Sequence, residues 1–285
     1  MRGRALLWTP LIACALGAGC GDEFNDDYNW LSRKNLRLIA AKAEPAEAVS
    51  GDKVVMDILS FGPDSSPITI SWAVCTAPPD VGTGMLSSAC ITDDQSPYLI
   101  PFGTGESAAL TLPQLDGGKL GPADITGGHF LPVRIKLASA TETLVAIERL
   151  RISAAAGPML NHNPRVESIT ATTAAGTPTP LDASTPLMVG ASDKLALRAH
   201  FAAGSDEPYT VDVGDGTTRA ATEQLQVAWF STAGHFGTGS TGADTDTTLD
   251  LSRNPPLPGG TIDVWAVGRD DRGGLDYLHR VLQAR

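Results

Sequence analysis

Ser192-Asp-Lys-Leu-Ala-Leu-Arg-Ala-His-Phe201 decides the fold. Leu195, Leu197, Ala199 and Phe201 alternate with Ala196, Arg198 and His200. Successive side chains of a strand point to opposite faces, so this order gives one apolar and one polar face. Such a strand is half-buried in an antiparallel sheet. Ile68, Ile70, Trp72 and Val74 form another one-sided row. Clusters of Gly, Pro, Asp and Asn separate the runs, as between the short strands of sandwiches. No helical stripe persists for three turns. The class read from the residues is all-β.

Outward from this stretch, the chain reads as two diverged copies of one pattern. Leu36–Pro45 corresponds to Pro164–Thr172, and Gly51–Ser60 to Ser192–Phe201. Ile68–Trp72 corresponds to Leu225–Trp229, and the short run Ala108–Leu112 to Thr248–Leu251. Each copy closes with a strand pair, Leu131–Ala138 with Leu144–Ser153 and Ile262–Gly268 with Leu275–Gln283. A length of 285 residues fits two domains, placed at 36–155 and 165–285 with a linker at 156–164. The second copy carries an insertion, Gly204–Glu223, whose Asp215-Gly216 turn signal predicts a hairpin.

Trp72 and Trp229 occupy equivalent positions on what is the third strand of each copy. In this the pattern resembles the immunoglobulin-like sandwich, and the resemblance implies that both tryptophans are core residues. The family's cysteine pair between the two sheets is absent. Cys75 lies three residues past Trp72, Cys90 lies in the following loop, and Thr232 stands where the second copy would match Cys75. Cys75 and Cys90 are expected to form a disulfide that staples a loop of the first domain. A metal pair is the alternative, but no His or further Cys stands near them.

The N-terminus sets the expected compartment. Met1-Arg-Gly-Arg4 is a basic start, Ala5–Ala18 is uncharged and apolar, and Leu16-Gly-Ala-Gly-Cys20 follows. This reads as a signal peptide over 1–20. The Cys after small residues resembles a bacterial lipobox, which implies acylation of Cys20. Gly17 stands where lipoboxes usually carry Leu, and Leu11-Ile-Ala-Cys14 is a competing box. A plain secretory signal is the third reading. Residues 21–35, with Asp22, Glu23, Asp26 and Asp27, read as an acidic flexible spacer. Taken whole, the chain resembles the two-domain lipoproteins of myxobacteria. That implies a lipid-anchored envelope protein, by resemblance in the outer membrane, with other envelope proteins or surface polymers as partners.

Charge and motifs narrow the function classes. The formal charge is −11, and loss of Arg2 and Arg4 with a signal peptide makes it −13. Such a chain is a poor partner for phosphate backbones, which excludes nucleic acid. No cofactor is expected, because no phosphate-cradling loop or dinucleotide fingerprint occurs. No catalytic residue is assigned, since the five histidines, among them the polar-face His200 and the loop residue His235, form no metal motif and no nucleophile elbow occurs. A hydrolytic site assembled from distant segments is the enzyme alternative. Asp244, Asp246, Asp270 and Asp271 are weak candidates for calcium in an adhesion-type module, set against the ordinary preference of Asp for turns. The leading expectation is a non-enzymatic binding, spacer or scaffold module. Its binding surface is expected in the unrepeated parts: the Cys75–Cys90 loop, the Gly204–Glu223 insertion and the loop Gly234–Thr247.

Overall fold

The structure is a computed structural model that describes residues 28–62, 67–78, 80, 87–112, 123–153, 160–174, 176–214 and 216–285. The expected signal peptide, with Cys14 and Cys20, lies outside the described residues. The first copy forms β1 (Arg37–Glu44), β2 (Glu47–Val49), β3 (Lys53–Phe61), β4 (Thr69–Cys75), helix α1 (Ser88–Thr92), β5 (Leu99–Thr104), β6 (Ser107–Thr111), β7 (Gly128–Ala138) and β8 (Thr143–Ser153). The second forms β9 (Val166–Thr172), β10 (Pro178–Pro180), β11 (Leu187–Val189), β12 (Lys194–Phe201), β13 (Pro208–Asp212), β14 (Thr218–Thr222) and β15 (Gln226–Ser231). It continues through β16 (His235–Phe236), β17 (Ser240–Gly242), β18 (Thr247–Asp250), β19 (Thr261–Arg269) and β20 (Leu275–Ala284).

The protein is all-β, built as two sandwiches with one strand order. In the first, β1-β3-β6 faces β2-β8-β7-β4-β5. In the second, β10-β9-β12-β18-β16 faces β11-β20-β19-β15-β17. The central strands correspond, β1 with β9, β3 with β12, β6 with β18, β4 with β15, β7 with β19 and β8 with β20, and β10 and β16 flank the second sandwich's sheet in addition. Even the crossing of the first strand is repeated. β2 pairs parallel with β8 and β11 pairs parallel with β20, while all other ladders are antiparallel. The insertion folds as the hairpin β13–β14, with Gly214 and Gly216 at positive φ in its turn.

Each sandwich has its own core. Trp72, Val54, Met56, Val133, Ile135 and Ile152 centre the first, and Trp229, Ile169, Leu195, Leu197, Val264 and Leu282 the second. Trp72 is 1% exposed and Trp229 0%. Burial leaves each indole N–H needing an acceptor. Trp72 Nε1 donates to the Gly105 carbonyl at 2.8 Å and Trp229 Nε1 to Thr241 Oγ1 at 3.1 Å. The Cys75–Cys90 disulfide closes over 15 residues and ties α1 to the end of β4.

A third apolar cluster joins the two sandwiches. Ile39, Ala40, Leu59 and Phe61 of β1 and β3 pack against Phe230, Trp265, Val267, Leu275 and Tyr277 of β15, β19 and β20. Phe61 meets Trp265 edge-on with ring centroids 5.8 Å apart. Residues 28–35, read above as part of a flexible spacer, are docked into the same seam. Leu31 is 1% exposed, its N–H donates to the Ser231 carbonyl at 2.7 Å, and Ser231 returns a bond to Asn29 at 3.0 Å. The Asn29 amide donates to the carbonyls of Trp229 and Gly239, at 2.5 and 3.2 Å. The chain thus extends the second sandwich's sheet, where β15 runs past β17, before it enters the first sandwich. The physical reason is that Trp30 and Leu31 have apolar surface to bury, which the acidic residues upstream do not.

The linker 156–164 behaves the same way in its described part. Asn161 is fully buried, and the Asn163 side chain donates to the Ala43 carbonyl at 2.6 Å while accepting from Leu275 N at 2.8 Å. It is a docked connection between the sandwiches.

Candidate functional site

Beside the apolar seam lies a buried network of charges contributed by both sandwiches. Glu47 on β2 and Arg151 on β8 come from the first; Glu223, after the β13–β14 hairpin, and Asp270 and Arg272, in the β19–β20 turn, come from the second. All five are at most 8% exposed. Glu47 Oε2 lies 3.0 Å from Arg151 Nε and 3.1 Å from Arg272 Nη2, and accepts from Asn161 N at 2.8 Å. Ser153 Oγ donates to Glu47 Oε1. Arg272 Nη1 reaches Glu223 Oε1 at 3.2 Å, and Arg151 Nη1 reaches Asp124 Oδ2 at 2.7 Å. Gly128 has no side chain where a Cβ would collide with the Arg151 guanidinium.

Glu47 and Glu223 pair with the two guanidinium groups, whereas the third buried carboxylate, Asp270, is held by the backbone N–H groups of Arg272 and Gly274 and by the Asn161 amide. Burial pushes the Glu223 carboxyl up to about 7, assisted by the charge of Asp270 and opposed by a backbone hydrogen bond at Glu207 and by Arg272. Burial also raises Asp270, against hydrogen bonds from the Gly274, Arg272 and Gly273 backbone and from Asn161.

The calcium candidates are not brought together. Asp270 sits inside this network, and Asp271 accepts from the Tyr209 hydroxyl at 3.0 Å. Asp246 pairs with Arg198 Nε at 2.6 Å, and Asp244 lies 3.3 Å from His200 Nδ1. Among the described residues no group of three or more His, Cys, Asp or Glu side chains is placed to hold a metal ion. The two histidines singled out differ in setting: His200 Nε2 lies 3.1 Å from Thr170 Oγ1, and His235 opens the short β16, with its Nδ1 3.0 Å from Arg253 Nη1.

The unrepeated parts are largely spent on assembly. The β13–β14 hairpin reaches across to the first sandwich, where Asp212 N donates to the Ile125 carbonyl at 2.7 Å. Tyr209 lies under the Arg272 guanidinium at 5.2 Å. The 234–247 segment supplies β16 and β17 and the Gly239 carbonyl that Asn29 grips. The disulfide-stapled end of the first sandwich retains an open concavity.

That concavity is a cleft of about 430 Å³ on the outward face of β4, β5 and β7. Arg134 and Lys136 project from alternate positions of β7, beside Ala73 and Ser71 of β4, whose small side chains leave the space. Pro101 of β5 and the 94–96 turn wall it. Asp94 bridges the two cations, one oxygen on Arg134 Nη2 and the other on Lys136 Nζ. Those two bonds, from Lys136 and then Arg134, hold the Asp94 carboxyl below the usual range. None of these three residues was singled out above. The available signal was two cations at alternate positions, the polar face of Leu131–Ala138, in an acidic chain.

No protein-family model matches the chain, and no curated protein matches it. Among solved structures, the Yersinia pseudotuberculosis adhesin InvE is similar at 11% identity, covering 89% of this chain and 60% of that one, with a TM-score of 0.19. The dimeric latent PorU of Porphyromonas gingivalis is similar at 10% identity, covering 90% and 24%, with a TM-score of 0.23. This chain therefore spans less than two thirds of either neighbour. At these scores the likenesses carry no argument about function.

Proposed function

We propose that the chain is a non-enzymatic cell-envelope lipoprotein, anchored through acylated Cys20, that serves as a rigid module for binding, spacing or scaffolding. The observation that carries the rigid part is the seam. Apolar packing, a buried ion network, the docked 28–35 segment and the hairpin all tie the two sandwiches together. Tandem domains that only need to be tethered have small, polar contacts and move relative to one another. Domains joined through apolar packing and buried ion pairs present their outer faces in a fixed relation, which is what a spacer or scaffold requires. The proposed anchor follows from the N-terminal sequence: several acyl chains each bury CH₂ groups at about 0.8 kcal/mol apiece, enough for stable insertion.

The test is palmitate labelling and membrane fractionation of the chain expressed with its N-terminus. Labelling should depend on Cys20, and Cys20→Ala should release the protein from membranes. A doubly substituted chain, Cys14→Ala with Cys20→Ala, that still fractionates with membranes would remove the lipoprotein reading. In vivo cross-linking through the outward faces should then capture envelope partners without any turnover of a substrate.

A further inference from the structure

The cleft at the disulfide-stapled end has a chemistry of its own. Arg134 is a charged side chain that is only 7% exposed, on a strand whose outward face is otherwise open to the cleft. A guanidinium has five N–H donors in a fixed planar fork. Arg134 Nη2 meets Asp94, whereas Arg134 Nε is buried without a hydrogen-bond partner. A buried donor left unpaired is costly and rare, and it marks either strain or a site that another group completes. Lys136 stands two residues along the same face, 28% exposed, and shares the same carboxylate. Two cations therefore converge on one acidic oxygen pair, an excess of one positive charge inside a chain of net −11.

Asp94 is half-exposed, at 48%, on the turn after α1 rather than on a strand. Its carboxylate already shows what the cations hold: a planar group with one oxygen to each. We propose that the cleft is a carboxylate-binding site, in which the carboxylate of a small organic acid displaces Asp94 from Arg134 and Lys136. Once Asp94 has moved aside, the fork of Arg134 can donate to both oxygens in the bidentate manner that guanidinium favours, with the buried Nε–H gaining an acceptor. Ser71 and Gln95 offer hydrogen bonds to the remainder of the ligand, and about 430 Å³ suits a molecule of modest size. Asp94 acts as a built-in competitor that engages both cations and offsets one of their two charges. This assignment stands whether or not the chain is lipid-anchored.

Calorimetric titration of the full chain with N-acetylglycylglycine, its C-terminal amide and inorganic phosphate tests it, with the Arg134 Nε–H resonance followed in parallel. The acid should bind saturably with a Kd of about 1 mM or tighter, and shift that resonance. The amide should not bind, and phosphate should bind about tenfold more weakly or not at all. Asp94→Asn should tighten the acid severalfold, because it removes the competitor. Lys136→Gln should abolish binding while far-UV circular dichroism and the disulfide stay unchanged, since Lys136 is partly exposed and makes no core contact. Binding of the amide as tight as the acid, phosphate binding equal to the acid, an unshifted Arg134 resonance, or weaker acid binding in Asp94→Asn would each overturn the proposal.

Discussion

At the scale of single residues, Glu47 is the side chain on which both sandwiches converge. Its two oxygens serve Arg151 and Ser153 from its own domain and Arg272 from the other. Removing one partner of a buried ion pair leaves the others charged and dry, which typically costs about 3–5 kcal/mol. Glu47→Gln should lower stability by that amount in urea denaturation, although Gln keeps the shape. A loss below about 1 kcal/mol would mean that water reaches the network. None of this was legible in the sequence, because the partners stand 104 and 225 positions away from Glu47 and no local pattern links them. Trp72 and Trp229 were legible, since each sits on a strand whose alternate residues are apolar. Trp→Ala at either should cost about 3–5 kcal/mol.

Glu223 gives the same network a pH dependence. Its carboxyl is pushed up to about 7 from an ordinary value of 4.5, chiefly by burial. The folded chain therefore holds a proton that the unfolded chain releases above pH 4.5. The associated stability is full below that pH and is lost as pH rises through about 7, an effect of about 3 kcal/mol. Burial of Asp270 acts in the same direction. The urea midpoint should fall between about pH 5 and pH 8. Glu223→Gln should remove much of that slope, and an unchanged slope in that variant would contradict the assignment.

At the scale of elements, alternation identified strands that have one wet face: β12, and β4 over Thr69–Trp72. It said less about those that have none. Leu38-Ile-Ala-Ala41 on β1, Ala228-Trp-Phe230 on β15 and Val264-Trp-Ala-Val267 on β19 are unbroken apolar runs. Their odd and even members divide between a sandwich core and the seam: Trp229, Val264 and Ala266 face the core, and Phe230, Trp265 and Val267 face the other domain. An unbroken run signals cover on both faces, and here the second cover is the neighbouring sandwich. The three-residue strands β2 and β11 were too short to carry a period. The docked segment 28–35 was hidden by its acidic neighbours, with only Trp30 and Leu31 to mark it.

The docking of that segment makes an element-level prediction. A Cβ on Gly239 would strike the Asn29 amide, so Gly239→Ala should expel the segment from the seam. Hydrogen exchange at the Leu31 and Ser231 amides should then accelerate, while the amides of β19 stay protected. Equal protection in the variant would show that the segment docks without Asn29. Reduction of the Cys75–Cys90 bond, which closes over 15 residues, should cost about 3 kcal/mol in the chain-entropy account. Its first visible effect should be loosening of α1 and the 94–96 turn, read as faster exchange there.

At the scale of the whole molecule, the two copies of one pattern have become a single body. Each sandwich alone would expose the apolar side chains of the seam and leave Glu47, Arg151, Arg272 and Glu223 partly unpaired. The domains should therefore unfold in one calorimetric transition, with destabilisation of either lowering both; two separated transitions would show that the seam contributes little. The repeat itself and the two-domain division were readable from sequence, whereas their fusion was not, because it rests on outward-facing residues of strands that looked complete.

Fixed geometry between the sandwiches is the central claim, and a distance distribution tests it most directly. Ile100 on β5 and Leu257 before β19 are both exposed, one in each sandwich, and neither belongs to the seam. Spin labels on unnatural keto side chains at these two positions, measured by pulsed electron resonance in the intact chain, should give one narrow distance peak. That peak should broaden in Glu47→Gln. A broad, multi-peaked distribution in the unmodified background would contradict the account, because it would mean that the two sandwiches swing about their linker.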